Sequence, residues 1–503
     1  MTGELRLIGI DLGSHLCRIG VLGSDGRPEL LELSAGDRGL PSAVAFSGTA
    51  TSWTDAIVGA VARRQILLQP RSGAAGVKRF LGRRASDPEV RRASGQFAHV
   101  IASPTGDAAI EAAGRTFSPP ELLAPTLSAL RTMAEEQLGG PVAAVVCVPA
   151  TFGHSARQAV RDAAVLAGLE IVRLLGEGAA TALALGQKRR AQSLSAVCDL
   201  GAAHFDVSII ATEQGVTQVL SAAGDSVGGD DFDRRIAARL AIGEPDPTDL
   251  RLLEEAQRVK HLAVDSGQAP YGTGGDLGEV RTVRRAEIES WTRDLVDRLD
   301  GPCRDALATA DVRPTDLREV ILVGGAGRLP AVQRKIEQVF GVPVTRPSRA
   351  DDLVAFGAAE YTALIGGSSG ASLAVDVAAR SLSVRSAGGK TSILIRRGAP
   401  LPAQAERLLT TAQDGQRDLG IDLFEGDGSE ATSPRRLGRF IVGNLPDARA
   451  GEAHVWVEVR IDSDGLVALI ARPLGAAAPV PVRLVPAVGL SRAELRRLAA
   501  PER

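Results

Sequence analysis

Two distant stretches of this sequence are built alike. "LIGIDLGSHLCRIGVL", residues 7–22, runs apolar into Asp11-Leu12-Gly13, turns, and leaves apolar. "AVCDLGAAHFDVSII", residues 196–210, does the same around Asp199-Leu200-Gly201. An apolar run ending on a carboxylate and a glycine reads as a buried strand entering a tight turn. Two matching hairpins predict two related lobes facing one cleft. Each aspartate ends a strand, and together they could hold a hydrated metal ion, since magnesium takes few direct carboxylates and keeps water and phosphate ligands. Close backbone approach to a phosphate favours glycine, yet the second turn reads Ala202-Ala203-His204.

A third glycine turn follows another apolar run in "EVILVGGAGRLPAVQRKIEQVFG", residues 319–341. The reading is strand, Gly324-Gly325, then an amphipathic helix from about Leu329-Pro330; a glycine turn at a helix start can bring a nucleotide close to the backbone. Between the hairpins, "AAVVCVPATF" reads as a buried strand and "SARQAVRDAAVLAGL" as a helix with Ser155 as N-cap and Gly168 as its stop. "DLRLLEEAQRVKHLAVD", residues 249–265, reads as another helix, and "DDLVAFGAAEYTALI" closes the first domain. "GGKTS" at 388–392 resembles the end of a P-loop, but its first glycine would fall on Val384, so it is discarded.

At 503 residues the chain is too long for one core. After "GGSSG", residues 366–370, the texture changes to short alternating segments: "SLSVRS", "TSILIRR", "RLLTTA", "DLGIDLFEG", "HVWVEVRID" and "LVALIARP". This predicts an all-β sandwich of about 110 residues, then a helical tail, "SRAELRRLAAPER". The expected domains are an α/β unit over 1–366, a linker over 367–377, a sandwich over 378–490 and a tail over 491–503. A net charge of -2 gives no case for nucleic acid or an anionic membrane as partner. No signal peptide or membrane-spanning run is evident, and Cys17, Cys147, Cys198 and Cys303 show no metal-ligand spacing. The expected place is therefore the cytoplasm, with inert buried thiols. Only five lysines occur, at 78, 188, 260, 335 and 390, so each is worth locating.

In this order, "GIDLGS", "VKRFLGRR", "VPATF", "RQAVRDAAVLAGLEIVRLLGEGAATALALG", "DLGAAHFDVSII", "VGGDDFD", "ILVGGAGRLP" and "DDLVAFGAA" resemble the nucleotide-binding domain of the DnaK-type seventy-kilodalton heat-shock chaperones. "PLPAQAERLLTTAQDGQ" and "VEVRIDSDGLVAL" resemble that family's peptide-binding sandwich. The resemblance implies an actin-like (ribonuclease H-like) two-lobed α/β ATPase followed by a β-sandwich, with ATP and Mg2+ as cofactors. It assigns Asp11 and Asp199 to the magnesium shell through water. Lys78, Glu177, Asp199 and Asp206 become the catalytic set, with Lys78 positioning phosphate and attacking water. Gly13, Ser14 and His15, the turn from Gly201 through Ala202 and Ala203 to His204, and Gly228-Gly229 become phosphate-loop positions. Lys260, Gly324, Gly325, Arg328 and Asp351 fall around the adenosine. Val384, Leu409, Leu419, Ile421 and Leu466 match the apolar peptide groove.

The departures are specific. Three glycines and a threonine in the family stand here as Gly201-Ala202-Ala203-His204. His15 and Leu16 replace polar residues, Gln257 a glutamate, Val264 and Ala326 hydroxyl residues, and Gly178 a proline. Ala387 replaces the large residue that arches over the peptide, the linker keeps Val375-Asp376-Val377 but few leucines, and the chain stops within the first turns of the family's helical lid. If the turn keeps the family's path, Ala202 or Ala203 needs a left-handed conformation. The leading expectation is an ATP-binding chaperone of the stress-response type that binds unfolded, apolar peptide, works with co-chaperones and hydrolyses ATP slowly. The rivals are a non-hydrolysing, ATP-stabilised interaction module and a small-molecule kinase of the same superfold.

Overall fold

In the computed structural model the described residues are 4–34, 36–95, 98–186, 193–241, 246, 249–272, 280–367, 373–385, 391–426, 434–476 and 478–499. Ala387, Lys188, Lys390 and linker residues 368–372 lie outside them.

The two hairpins nucleate two sheets of the same plan. In the first, strand Arg6–Leu12 pairs antiparallel with Leu16–Leu22, which pairs with Pro28–Leu30; on its other side lies parallel Val142–Val148, then parallel Glu170–Gly176. In the second, Ser193–Leu200 pairs with Phe205–Glu213 and that with Val216–Asp225; on the other side lie parallel Glu319–Val323 and Val344–Thr345. Numbered within each unit, the order is third, second, first, fourth, fifth in both. The repeated hairpin is thus the visible part of a repeated topology. Ile8, Ile10 and Leu12, like Val142 through Val148, are wholly or nearly wholly buried, as strands covered on both faces must be. Helix Leu353–Ile365 packs its apolar residues into the core shared by the two units.

Within the expected linker, Leu373–Val375 adds a parallel sixth strand to the second sheet, against Val216–Gln218. The sandwich follows as a five-stranded and a three-stranded sheet around Leu382, Leu423, Phe440, Val457 and Ala471. Two of its strands were not expected: Arg435–Val442 and Val482–Pro486, which pair with each other. Three arginines and Gly438 blunt the alternation of the first, and prolines bound the second.

The sandwich is docked on the first unit. The helix expected to start from Ser155 instead runs His154–Ala167 from a Gly153 N-cap. Its first amide is satisfied from the sandwich: His154 N donates to Glu425 Oε1 at 2.7 Å, an anion placed at a helix N-terminus. Gly168 ends the helix in the left-handed region, as expected. Asp464, in a sandwich turn, accepts from Arg161 Nη2, from Arg173 Nη1 at 3.4 Å and from Leu174 N at 3.0 Å, while its own carbonyl accepts from buried Arg157 at 3.0 Å. The tail helix Arg492–Ala499 turns back onto the first unit, where Leu495 and Leu498 pack on its core. The four cysteines are free and buried. Among the described residues no helix is long and apolar enough to cross a membrane.

Candidate nucleotide site

A cavity of about 360 Å3 opens between the two hairpins. Every residue named above for the nucleotide pocket lines it except Gly228. Gly228 supports the wall instead: a Cβ there would stand 2.3 Å from the Ala202 carbonyl oxygen, so only glycine lets the 201–204 turn lie against the helix Gly229–Leu240. Gly324 has a different constraint, a φ of +80° with Leu200 O 2.3 Å from any Cβ.

At the cavity floor Lys78 Nζ donates to Glu177 Oε1 at 2.6 Å. Glu177 opens its helix directly after strand Glu170–Gly176. Lys78 and Glu177 are buried. Burial works against the lysine's charge, but the charge and hydrogen bond of Glu177, with Asp11 and Asp206, outweigh it and hold its pKa above the usual value. The carboxylates respond the other way. Burial, opposed by Arg18, lifts Asp11 to about 6. Burial and Glu177 lift Asp206 to about 7, against a 2.6 Å hydrogen bond from Thr151 Oγ1. Asp199 is pushed well above the carboxylate range by burial and by Glu177, Asp206 and Asp11. A site crowded with buried carboxylates favours a cation.

Among the described residues no three carboxylate, histidine or cysteine side chains converge on one point to ligate a metal. Asp11 and Asp199 both line the cavity, and two such carboxylates fit a magnesium ion that keeps water and phosphate ligands.

The Ala202-Ala203-His204 turn departs from expectation in one respect. Neither alanine has a positive φ, so the turn carries no left-handed strain; its path is fixed by Gly201 N donating to His204 O at 3.0 Å and Asp230 N donating to Ala202 O at 2.9 Å. His204 meets the Phe152 ring edge-on. Burial, then Lys78, pushes its pKa well below the usual value, so it is a neutral imidazole with one N–H to give.

On the far wall Lys260 pairs with Asp233 at 2.8 Å and donates to Gly229 O at 3.2 Å. Arg328 and Arg346 both hold Asp351, at 2.7 and 2.9 Å. Gly178, where the family has proline, leaves room for Ser208, whose Oγ would be 2.4 Å from a Cβ there. Thr151, Asp233, Arg79 with its partner Asp230, Arg63 and Arg18 also frame the site. Arg63 lies outside every stretch read as a motif; the others lie inside such stretches, VPATF, VKRFLGRR, VGGDDFD and the first hairpin, but carry no turn or strand-end signal of their own.

In the sandwich Val384, Leu409 and Leu419 are half-buried against the core that contains Ile421. Leu466 is not brought to them. It lies in the 462–466 turn whose Asp464 grips the first unit, because that turn is spent on docking.

A family model described as Hsp70 protein matches residues 7–502. The chain belongs to the Hsp70 family. Hsp70 proteins combine an actin-like, two-lobed ATPase with a β-sandwich; they bind ATP with Mg2+ and act as chaperones on unfolded peptide with co-chaperones. The chain is in that general sense an ATP-binding chaperone and ATPase, and its duplicated sheets and docked sandwich are consistent with the Hsp70 plan.

Proposed function

We propose that this Hsp70 protein binds Mg2+-ATP in the cavity between the hairpins, hydrolyses it slowly, and binds exposed apolar peptide segments through the sandwich. The observation that carries the reading is the buried Lys78–Glu177 pair, 2.6 Å long, facing Asp11, Asp199 and Asp206. Bound magnesium would neutralise charge developing on the phosphoryl oxygens. Lys78 is the point charge that positions phosphate and the attacking water. Asp206, with a pKa of about 7, is matched to take a proton from that water near neutral pH. Slowness is supported by the Ala-Ala-His turn, where two methyl groups and a neutral imidazole stand in place of glycines and a hydroxyl.

Single-turnover hydrolysis of ATP with Mg2+, wild type beside Lys78→Ala, tests the chemistry, with calorimetry to follow binding separately. Binding without hydrolysis in the wild type would leave an interaction module. For the sandwich, a fluorescent apolar peptide should exchange quickly with either nucleotide, and Leu419→Asp should weaken it; indifference to Leu419→Asp would remove Val384, Leu409, Leu419 and Ile421 as the groove.

A further inference from the structure

The return strand of the first hairpin carries an arginine opposite its metal-shell carboxylate. In the register of the pair, Arg18 faces Asp11 directly. Its Nη1 is 3.6 Å from Asp11 Oδ2, and its Nε is 3.6 Å from Asp352 Oδ1. Both separations are too long for hydrogen bonds. Asp352 has a closer partner in Arg349, at 2.9 Å. Arg18 is thus drawn to two carboxylates and fixed by neither, although its side chain is only 20% exposed.

Its position is equally particular. Arg18 lines the nucleotide cavity and also the open recess beside it, where Arg328, Arg346 and Asp351 stand. It therefore lies where the carboxylate cluster meets the adenosine wall. A nucleotide spanning those two regions carries its polyphosphate past this point. The inner cavity sets Asp11, Glu177, Asp199 and Asp206 against Lys78, whose single charge is shared with Glu177. A polyanion entering such a site needs a further cation, and a guanidinium matches phosphate in shape as well as in charge.

We propose that Arg18 is a phosphate-binding residue of this site, a cation built into the chain that shares with magnesium the task of neutralising the nucleotide. The proposal deepens the nucleotide reading above and rests on it. It gives this protein a smaller dependence on magnesium for nucleotide binding than a site whose only cation at that point is the metal.

Calorimetric titration of ATP and of adenosine, each with Mg2+ and with EDTA, tests it on wild type, Arg18→Ala and Arg18→Lys. Wild type should keep measurable ATP affinity in EDTA. Arg18→Ala should lose about 10- to 100-fold of that affinity, the range of one hydrogen bond to a charged group. It should lose less with Mg2+ present and nothing for adenosine, and Arg18→Lys should fall between. Unchanged ATP affinity in EDTA for Arg18→Ala overturns the assignment, and so does an equal loss for adenosine, which marks a packing defect. A wild type that binds Mg2+-ATP poorly or not at all overturns the underlying nucleotide reading as well.

Discussion

Arg63 Nη1 stands 3.0 Å from His15 Nε2, and this contact ties a helix of one lobe to the turn of the first hairpin. Because the guanidinium can only donate, Nε2 accepts and the imidazole is neutral with its proton on Nδ1. Burial, then Arg63, lowers the His15 pKa to about 4. The same arginine crosses the cleft to Glu254 Oε1 at 2.9 Å and Gln257 Oε1 at 3.1 Å, both on the helix Leu250–Ser266. Arg63 therefore fastens the two lobes over the cavity. Arg63→Ala should speed nucleotide release about tenfold, as most affinity changes appear in the off-rate. Stopped-flow chase of a fluorescent ATP analogue measures it; an unchanged off-rate would show that the lobes are held elsewhere.

The carboxylates give the site a pH signature. Asp11 at about 6 and Asp206 at about 7 are raised above the unfolded value of about 3.9. Between roughly pH 4 and 7 the folded, ligand-free protein holds more protons than the unfolded chain, so these groups stabilise it at low pH and that contribution is lost as pH rises through 6 and 7. Asp206→Asn removes one of them. The ligand-free melting temperature of Asp206→Asn should gain on wild type as pH goes from 5 to 7.5. Mg2+-ATP affinity should rise over the same interval in wild type, because the cation binds the ionised acids. A flat difference between the two melting curves would mean that Asp206 titrates as an ordinary carboxylate.

Asp464 is the hub of the docked sandwich. Asp464→Ala leaves buried Arg173 and the buried Leu174 amide without their carboxylate acceptor, and breaking a buried pair costs about 3–5 kcal/mol. The expected result is separation of the sandwich from the first unit without unfolding of either. Small-angle scattering should report a larger radius of gyration, and proteolysis should cut near Leu373–Val375. A variant as compact and resistant as wild type would place the docking energy in Glu425–His154 and in the hydrogen bond from Gly176 N to Asp376 instead.

Replacing Ala202 and Ala203 with Gly and His204 with Thr should raise the single-turnover rate by at least about tenfold, a modest part of the hundred- to thousandfold attached to one preorganised donor. Since neither alanine is in the left-handed region, the glycines relieve no strain, and each should cost stability, on the order of 0.4–1 kcal/mol, by freeing the unfolded chain. A faster enzyme with a slightly lower melting temperature is the expected pair of results. A folded, ATP-binding variant that is no faster would move the limit to His15-Leu16 or to the contacts of Gly178 with Ser208.

The hairpins were legible because a buried strand ending in a turn writes both signals into adjacent residues. Helix Pro330–Phe340 was legible for the same reason, its glycine turn and apolar stripe being continuous. What escaped was long-range. The cap of helix His154–Ala167 comes from Glu425, 271 residues away, and no local pattern foretells it, so Ser155 looked like the natural cap. Leu466 sits in an apolar context that fits a groove, but the neighbouring Asp464 commits its turn to the other domain. The strain assigned to Ala202 and Ala203 came from assuming a glycine path, whereas the chain holds the turn with backbone hydrogen bonds at ordinary φ. Arg18 alternates along its strand like any surface residue, and only the fold puts it in the cavity.

The repeated sheet plan makes the site a joint possession. Each copy supplies one hairpin aspartate and half a wall, so neither copy alone encloses anything. A lone copy could keep its strand order and have no pocket. The two turns differ in sequence, Gly-Ala-Ala-His in one and Gly-Ser-His-Leu in the other, so the symmetry of the strand order does not extend to the side chains that face the cleft.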